Sequence, residues 1–273
     1  MRHKLFTPRL LALPLLAATL TACATSRTAG EEEMAANLTS RATIVPATQA
    51  EREAIRSQDM FTQAAFWAEA HDLNPADREA ALELSTILRR MGSHQQAADT
   101  ARQALALYPS DADILYAYGA ALTASGRGAA AIEPLLRAEG IRPDDWRIKN
   151  GLGVAFEAAG MRPDARARFQ GALSIAPGEP SILSNLALSY AMAGEPEEAE
   201  RLLREAMARP GADATVRQNL ALVIALQGRF DEAERMARVD VSPRVAEANM
   251  SYVRAMLTTT RRWDAIRGDD GAQ

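Results

Sequence analysis

Cysteine is almost missing from this chain. Cys23 is the only one in 273 residues, so no disulfide can form within it. Histidine is scarce as well. His3 lies in the basic start, and His71 and His94 are isolated, with no cysteine or second histidine at metal-ligand spacing. His94 follows Gly92 in a turn and reads as a solvent-facing residue. Basic charge is in deficit: 31 Lys and Arg against 35 Asp and Glu leave a net charge of −4. Loss of residues 1–22, with Arg2, Lys4 and Arg9, would take it to −7. A mildly acidic domain lacks the basic surface that nucleic acid requires. Long apolar runs are absent too. Leu10 to Leu20, broken only by Pro14, is far short of the roughly 20 residues that span a bilayer. Gly151-Leu152-Gly153 is preceded by no strand pattern and has no third glycine, which excludes a dinucleotide loop. No paired carboxylates, nucleophile elbow or phosphate loop stands out. The sequence therefore offers no catalytic residue, cofactor site or small-molecule substrate.

What it has in abundance is period. Pro75, Pro109, Pro143 and Pro177 stand 34 residues apart, and Pro210 follows after 33. Gly92, Gly126, Gly160, Gly194 and Gly228 keep step at 34, as do Ala97, Ala131, Ala165, Ala199 and Ala233. So do Leu84, Tyr118, Leu152, Leu186 and Leu220. The unit from Trp146 to Pro177 shows what repeats. Ile148, Leu152, Ala155 and Phe156 lie on one helical face, and Ala165, Phe169, Ala172 and Leu173 on another, separated by a turn at Gly160. Gly153 and Ala165 fall where two antiparallel helices cross, with Leu152, Phe156 and Phe169 filling the space beside them. Glycine ends the first helix, the residue before proline ends the second, and aspartates in PSDAD and PDDW cap the next.

A 34-residue helix-turn-helix with these positions resembles the tetratricopeptide repeat. The resemblance implies an all-α solenoid, a right-handed superhelix of helix pairs. Repeats two to five occupy roughly 78–111, 112–145, 146–179 and 180–212, after a degenerate first repeat at 47–76 that places Trp67 as the large filler. Pro134 falls inside an expected second helix, where proline can kink it. The sixth repeat is cut short at DEAERMARVDV, and ANMSYVRAML then echoes the first-helix phrase QNLALVIALQG. That last helix is read as a cap, closing the apolar end with Val245, Tyr252, Val253 and Met256.

The amino terminus carries an address. A basic start and a short apolar core predict a secretory signal peptide at residues 1–22. Leu20-Thr21-Ala22-Cys23 resembles the bacterial lipobox, which implies a lipid anchor on Cys23. Ala24, where some lipoproteins carry aspartate, implies sorting to the outer membrane with the domain in the periplasm. Residues 23–46 then form a lipidated cysteine and flexible tether, 47–258 the repeat domain of about six repeats and a capping helix, and 259–273 an unstructured tail.

Function must come from the surface the stack creates. In tetratricopeptide arrays the first helices line a concave groove that holds a peptide or a partner helix. Carried over position by position, the groove begins with Glu79, Arg89, Arg90, Tyr116, Arg147 and Asn150. It continues with Val154, Ser184, Leu188, Met192, Gln218, Leu222 and Leu226. Polar residues at one end and Leu and Met at the other suit a ligand with charged and apolar halves. In the alternative reading, Val154, Leu188 and Leu222 pack mostly against adjacent helices. The lipobox, the tether, the shortened sixth repeat and ANMSYVRAM together resemble the TadD family, lipoproteins of Flp (Tad) pilus assembly. That resemblance implies a protein partner, a secretin or another pilus or secretion component. A periplasmic adaptor for cell-wall or outer-membrane maintenance enzymes is the alternative.

Overall fold

The computed structural model describes residues 48–269, with side chains through Thr258. The signal peptide, Cys23 and the tether lie outside the described residues. The chain divides into two units, Met1–Ser57 and Gln58–Gln273, a boundary that falls within the first repeat expected from sequence. Among its described residues the first unit holds one helix, α1 (Gln49–Ile55), with Thr48 and Glu51 in a reciprocal capping box. It buries no side chain.

The second unit runs through twelve helices: α2 (Met60–Leu73), α3 (Arg78–Arg90), α4 (His94–Leu107), α5 (Ala112–Ala124), α6 (Gly128–Ile141), α7 (Trp146–Ala158), α8 (Arg162–Ile175), α9 (Pro180–Met192), α10 (Pro196–Met207), α11 (Ala214–Leu226), α12 (Phe230–Ala237) and α13 (Pro243–Asp269). There is no strand among the described residues, and no helix there is long and apolar enough to cross a membrane. The architecture is an all-α solenoid of helix pairs, each helix packed on the one before and the one after.

The punctuation is periodic because the physical needs are. Asp77, Asp111, Asp145 and Asp213 cap α3, α5, α7 and α11, each accepting from backbone N–H groups of the first turn, and Glu179 does the same for α9. First helices end on glycines held at positive φ, from +77° at Gly160 to +84° at Gly194, a region that L side chains avoid. One position shows how tightly each pair is fitted. A β-carbon on Gly153 would sit 2.4 Å from the Phe169 ring, and Phe169 is 1% exposed. Ser85, Gly119, Ala187 and Ala221 occupy the equivalent positions, all small and buried. Ser85 donates its hydroxyl to the Ala97 carbonyl at 2.9 Å. Trp67 is fully buried, as its place in the first repeat predicts. Pro134 lies inside α6, which continues through it.

Two expectations at the carboxyl end differ. Backbone helix extends through Asp269, where the sequence reading began an unstructured tail at residue 259. No proline interrupts TTTRRWDAIRGDD, and its first glycine is Gly268. The residues that close the stack are Ala246, Met250 and Val253, all buried, while Val245, Tyr252 and Met256 are exposed. The buried three lie 30 residues after Val216, Leu220 and Val223, the buried positions of α11, so α13 docks in the register of a first helix.

Candidate partner-binding groove

Successive first helices touch: α3 meets α5, α5 meets α7, α7 meets α9, α9 meets α11 and α11 meets α13. No two second helices do so among the described residues. The first helices are therefore the crowded inner row, and their uncovered side chains line the inner face of this unit.

The apolar half of the expected groove comes together. Val154 and Ala158 of α7 and Leu188 and Met192 of α9 share a pocket of about 260 Å³, with Glu157, Phe169 and Asn185 completing its wall. Met192 is 54% exposed and Leu222 37%, so neither is spent on packing against a neighbouring helix. Val154 and Leu226 are half-buried and pack partly on the core. Leu188, also half-buried, faces the pocket.

The polar half is a cationic patch around one aromatic. Tyr116 of α5 packs toward Gly151 of α7, where an added β-carbon would lie 3.0 Å from its ring. Burial pushes the Tyr116 hydroxyl above its usual pKa, the negative charge of Asp145 adds to this, and the positive charges of Arg89 and Arg147 oppose it. Arg90 is exposed beside Arg89, and the Arg147 guanidinium lies 5.7 Å from the centre of the Trp146 ring. Among the described residues, Arg89, Arg90 and Arg147 make no ion pair, whereas most of the other described arginines do. Arg78, for example, bridges Asp111 and Asp113, and Arg204 bridges Glu200 and Glu232.

The amides and hydroxyls expected to face a ligand also bond between helices, and Ser184, Asn185 and Asn219 line a pocket of about 290 Å³. Asn185 donates to the Asn150 side-chain oxygen at 3.0 Å, and Asn219 donates to the Ser184 hydroxyl oxygen at 2.8 Å. Ser184 is 4% exposed. Gln218 donates to Asp240 at 3.2 Å and to the Ala237 carbonyl at 3.4 Å. These bonds tie α7 to α9 and α9 to α11, and α11 to the end of its own pair.

The sequence reading missed the contribution of α13. Tyr252 and Met256 stand 30 residues after Leu222 and Leu226 and are 72% and 43% exposed. The echo between QNLALVIALQ and ANMSYVRAML carries that register. It assigns Tyr252 and Met256 to the inner face once α13 is aligned as a first helix rather than as a plug.

Tetratricopeptide-repeat family models match residues 54–111, 82–145 and 127–180, then 156–218, and 214–238. No curated protein sequence matches the chain. Among solved structures, PilW, described as a widely conserved type IV pilus biogenesis factor, superposes with a TM-score of 0.58 at 22% identity. The match covers 71% of this chain and 91% of PilW. TTC0263, a thermophilic tetratricopeptide protein of Thermus thermophilus, gives 0.55 at 22% identity over 60% of this chain and 90% of its own. A MamA structure gives 0.48 at 20% identity, over 60% and 95%.

Proposed function

We propose a function from the premise that this chain belongs to the tetratricopeptide-repeat family: it is a scaffold that holds a protein partner on its inner face. The observation that carries this reading is that one row of first helices leaves Met192 and Leu222 exposed on α9 and α11 and Arg89, Arg90 and Arg147 without an ion pair on α3 and α7. Apolar side chains left in water, and cations left without anions, are surfaces that gain from a ligand.

The partner and the place are the finer part of the proposal. The scaffold is anchored to the outer membrane through lipid on Cys23 and works in the periplasm as a pilotin-like or assembly factor for the secretin and secretion machinery of the Flp (Tad) pilus. The lipobox Leu20-Thr21-Ala22-Cys23, the shortened last repeat and the phrase ANMSYVRAM support this reading. The fold likeness to PilW, itself described as a pilus biogenesis factor, is consistent with it.

The test is replacement of the gene by variants in cells that make the pilus. Leu188→Glu with Leu222→Glu is expected to abolish co-purification with the secretin and secretin assembly in the outer membrane. Arg89→Glu with Arg90→Glu is expected to weaken both, more so at low salt, because exposed charges are screened over about 10 Å at 0.1 M. Helical content and melting of each variant must match the parent. Normal secretin assembly with the leucine pair, together with cell-envelope defects, would support the maintenance-adaptor reading instead.

A further inference from the structure

We propose that the occupant of the inner face is an amphipathic α-helix, not an extended peptide, and that α13 supplies the last rung of its binding site. This rests on the groove reading above and specifies what fills the groove.

The first argument is hydrogen-bond supply. An extended peptide brings unpaired backbone N–H and C=O groups, which need partners when water is removed. The backbone of a helical solenoid is consumed by its own helices, so such partners must be side-chain amides and hydroxyls. Here Ser184 is 4% exposed, and Asn150, Asn185, Gln218 and Asn219 each spend part of their hydrogen-bonding capacity on a neighbouring helix, which leaves an extended peptide only the remainder. A helical ligand satisfies its own backbone and asks the groove only for apolar contact and charge.

The second argument is spacing. Val154, Leu188 and Leu222 recur every 34 residues on successive first helices, and Tyr252 takes the same position on α13. Packed helices lie about 8–10 Å apart. Two turns of an α-helix advance about 11 Å, so apolar residues seven apart on a ligand helix can meet successive rungs. Four rungs correspond to roughly 16–20 residues of helix.

The third argument is what α13 leaves open. Glu247 and Ser251 are exposed 30 residues after Arg217 and Ala221, and Ala221 is buried in a cluster with Ala237 of α12, while Arg254 lies over the Phe230 ring of α12 at 4.5 Å. Among the described residues only α11 and α12 pack on α13, which leaves Glu247 and Ser251 exposed on the side where a seventh second helix would lie. The side that faces the groove carries Tyr252 and Met256. Polarity on one side and exposed aromatic and thioether groups on the other distinguish a binding rung from a terminal plug.

Charge sets the direction. The carboxyl end of a helix carries the negative pole of its dipole, and the unpaired arginines lie at the amino-terminal end of the row. The ligand helix therefore runs with its carboxyl end, or acidic residues near it, toward Tyr116.

The experiment is competitive display selection against the full chain, with one library of randomised peptides held helical by side-chain staples and one of proline-rich extended peptides. Binders are expected from the helical library, with apolar residues at seven-residue spacing and acidic residues gathered at the carboxyl end. Leu222→Glu and Tyr252→Glu, both at exposed positions, should each weaken them by at least about tenfold. Arg89→Glu with Arg90→Glu should weaken them severalfold and reduce the salt dependence. Extended binders that are lost with Leu222→Glu would overturn the helical occupant and leave the groove standing. Helical binders unaffected by Tyr252→Glu would overturn the role of α13. No binder from either library, or binders indifferent to every substitution, would overturn the groove itself.

Discussion

Gly153→Ala should destabilise the protein although alanine is the better helix former. Two effects compete at this site in α7. Alanine in place of a helical glycine gains about 0.8–1.0 kcal/mol of intrinsic propensity. Against this, the new methyl would lie 2.4, 2.6 and 2.9 Å from three carbons of the Phe169 ring. Phe169 is 1% exposed and Ala165, one turn before it on α8, is fully buried, so the ring can yield only toward the pocket it shares with Val154 and Leu188. Overpacking of this kind costs about 1–3 kcal/mol, and contacts this short belong at the upper end, leaving a net loss of roughly 1–2 kcal/mol. Gly171 in α8 is the control. A β-carbon there meets only the Lys149 Cδ at 3.7 Å, an ordinary contact, so Gly171→Ala should stabilise by about 0.8–1.0 kcal/mol. The difference between the two substitutions isolates the clash. Urea unfolding followed by circular dichroism gives both values, and adding Phe169→Leu to Gly153→Ala should recover part of the loss, a coupling of about 0.5–3 kcal/mol. If Gly153→Ala stabilised the protein as much as Gly171→Ala, the close crossing of α7 and α8 would be wrong.

Three further outcomes follow from the same structure. Asp111 holds its carboxyl below the usual range: burial alone would raise it, but hydrogen bonds from the Arg78 guanidinium and from the backbone N–H groups of Ile114 and Asp113 outweigh burial. Its contribution to stability is complete above the unfolded value, near pH ~4, and is lost as pH falls through the lower folded value, so Asp111→Asn should flatten the acid limb of a melting-temperature profile. Cys23→Ser should leave an unprocessed or mislocalised protein. Mass spectrometry of the mature amino terminus should show acyl chains on Cys23 of the parent, and an unmodified cysteine would remove the anchor from the proposal. Gly160→Ala should cost roughly 1 kcal/mol by equilibrium unfolding, because its φ of +77° is strained for any residue with a β-carbon.

Sequence reasoning reached the fold because tetratricopeptide packing writes itself at fixed intervals. A small residue at 153, a ring at 169, a glycine at 160 and an aspartate at 145 each answer a local steric or hydrogen-bonding need, and the need recurs with the helix pair. The groove was legible only in part. Leu222 and Met192 could be placed on the inner row from register alone, yet register does not say which polar residues there are already bonded. Asn150, Ser184 and Gln218 looked available because their partners, Asn185, Asn219 and Asp240, lie 35, 35 and 22 residues away. The ends were hardest. Val245, Tyr252 and Met256 were assigned to the buried side of a cap because apolar residues at a terminus suggest closure, and only the burial of Ala246, Met250 and Val253 fixes how α13 is turned.

Site-specific photo-crosslinking in living cells tests the central claim most directly. A photoreactive residue at Leu222 or Met192 samples the inner face, and one at Gln170, exposed on the second helix α8, samples the outer side. The account predicts one discrete adduct with the same partner protein from both inner positions and none from Gln170. Adducts from Gln170 with none from Leu222 or Met192 would contradict it and move recognition to the second helices.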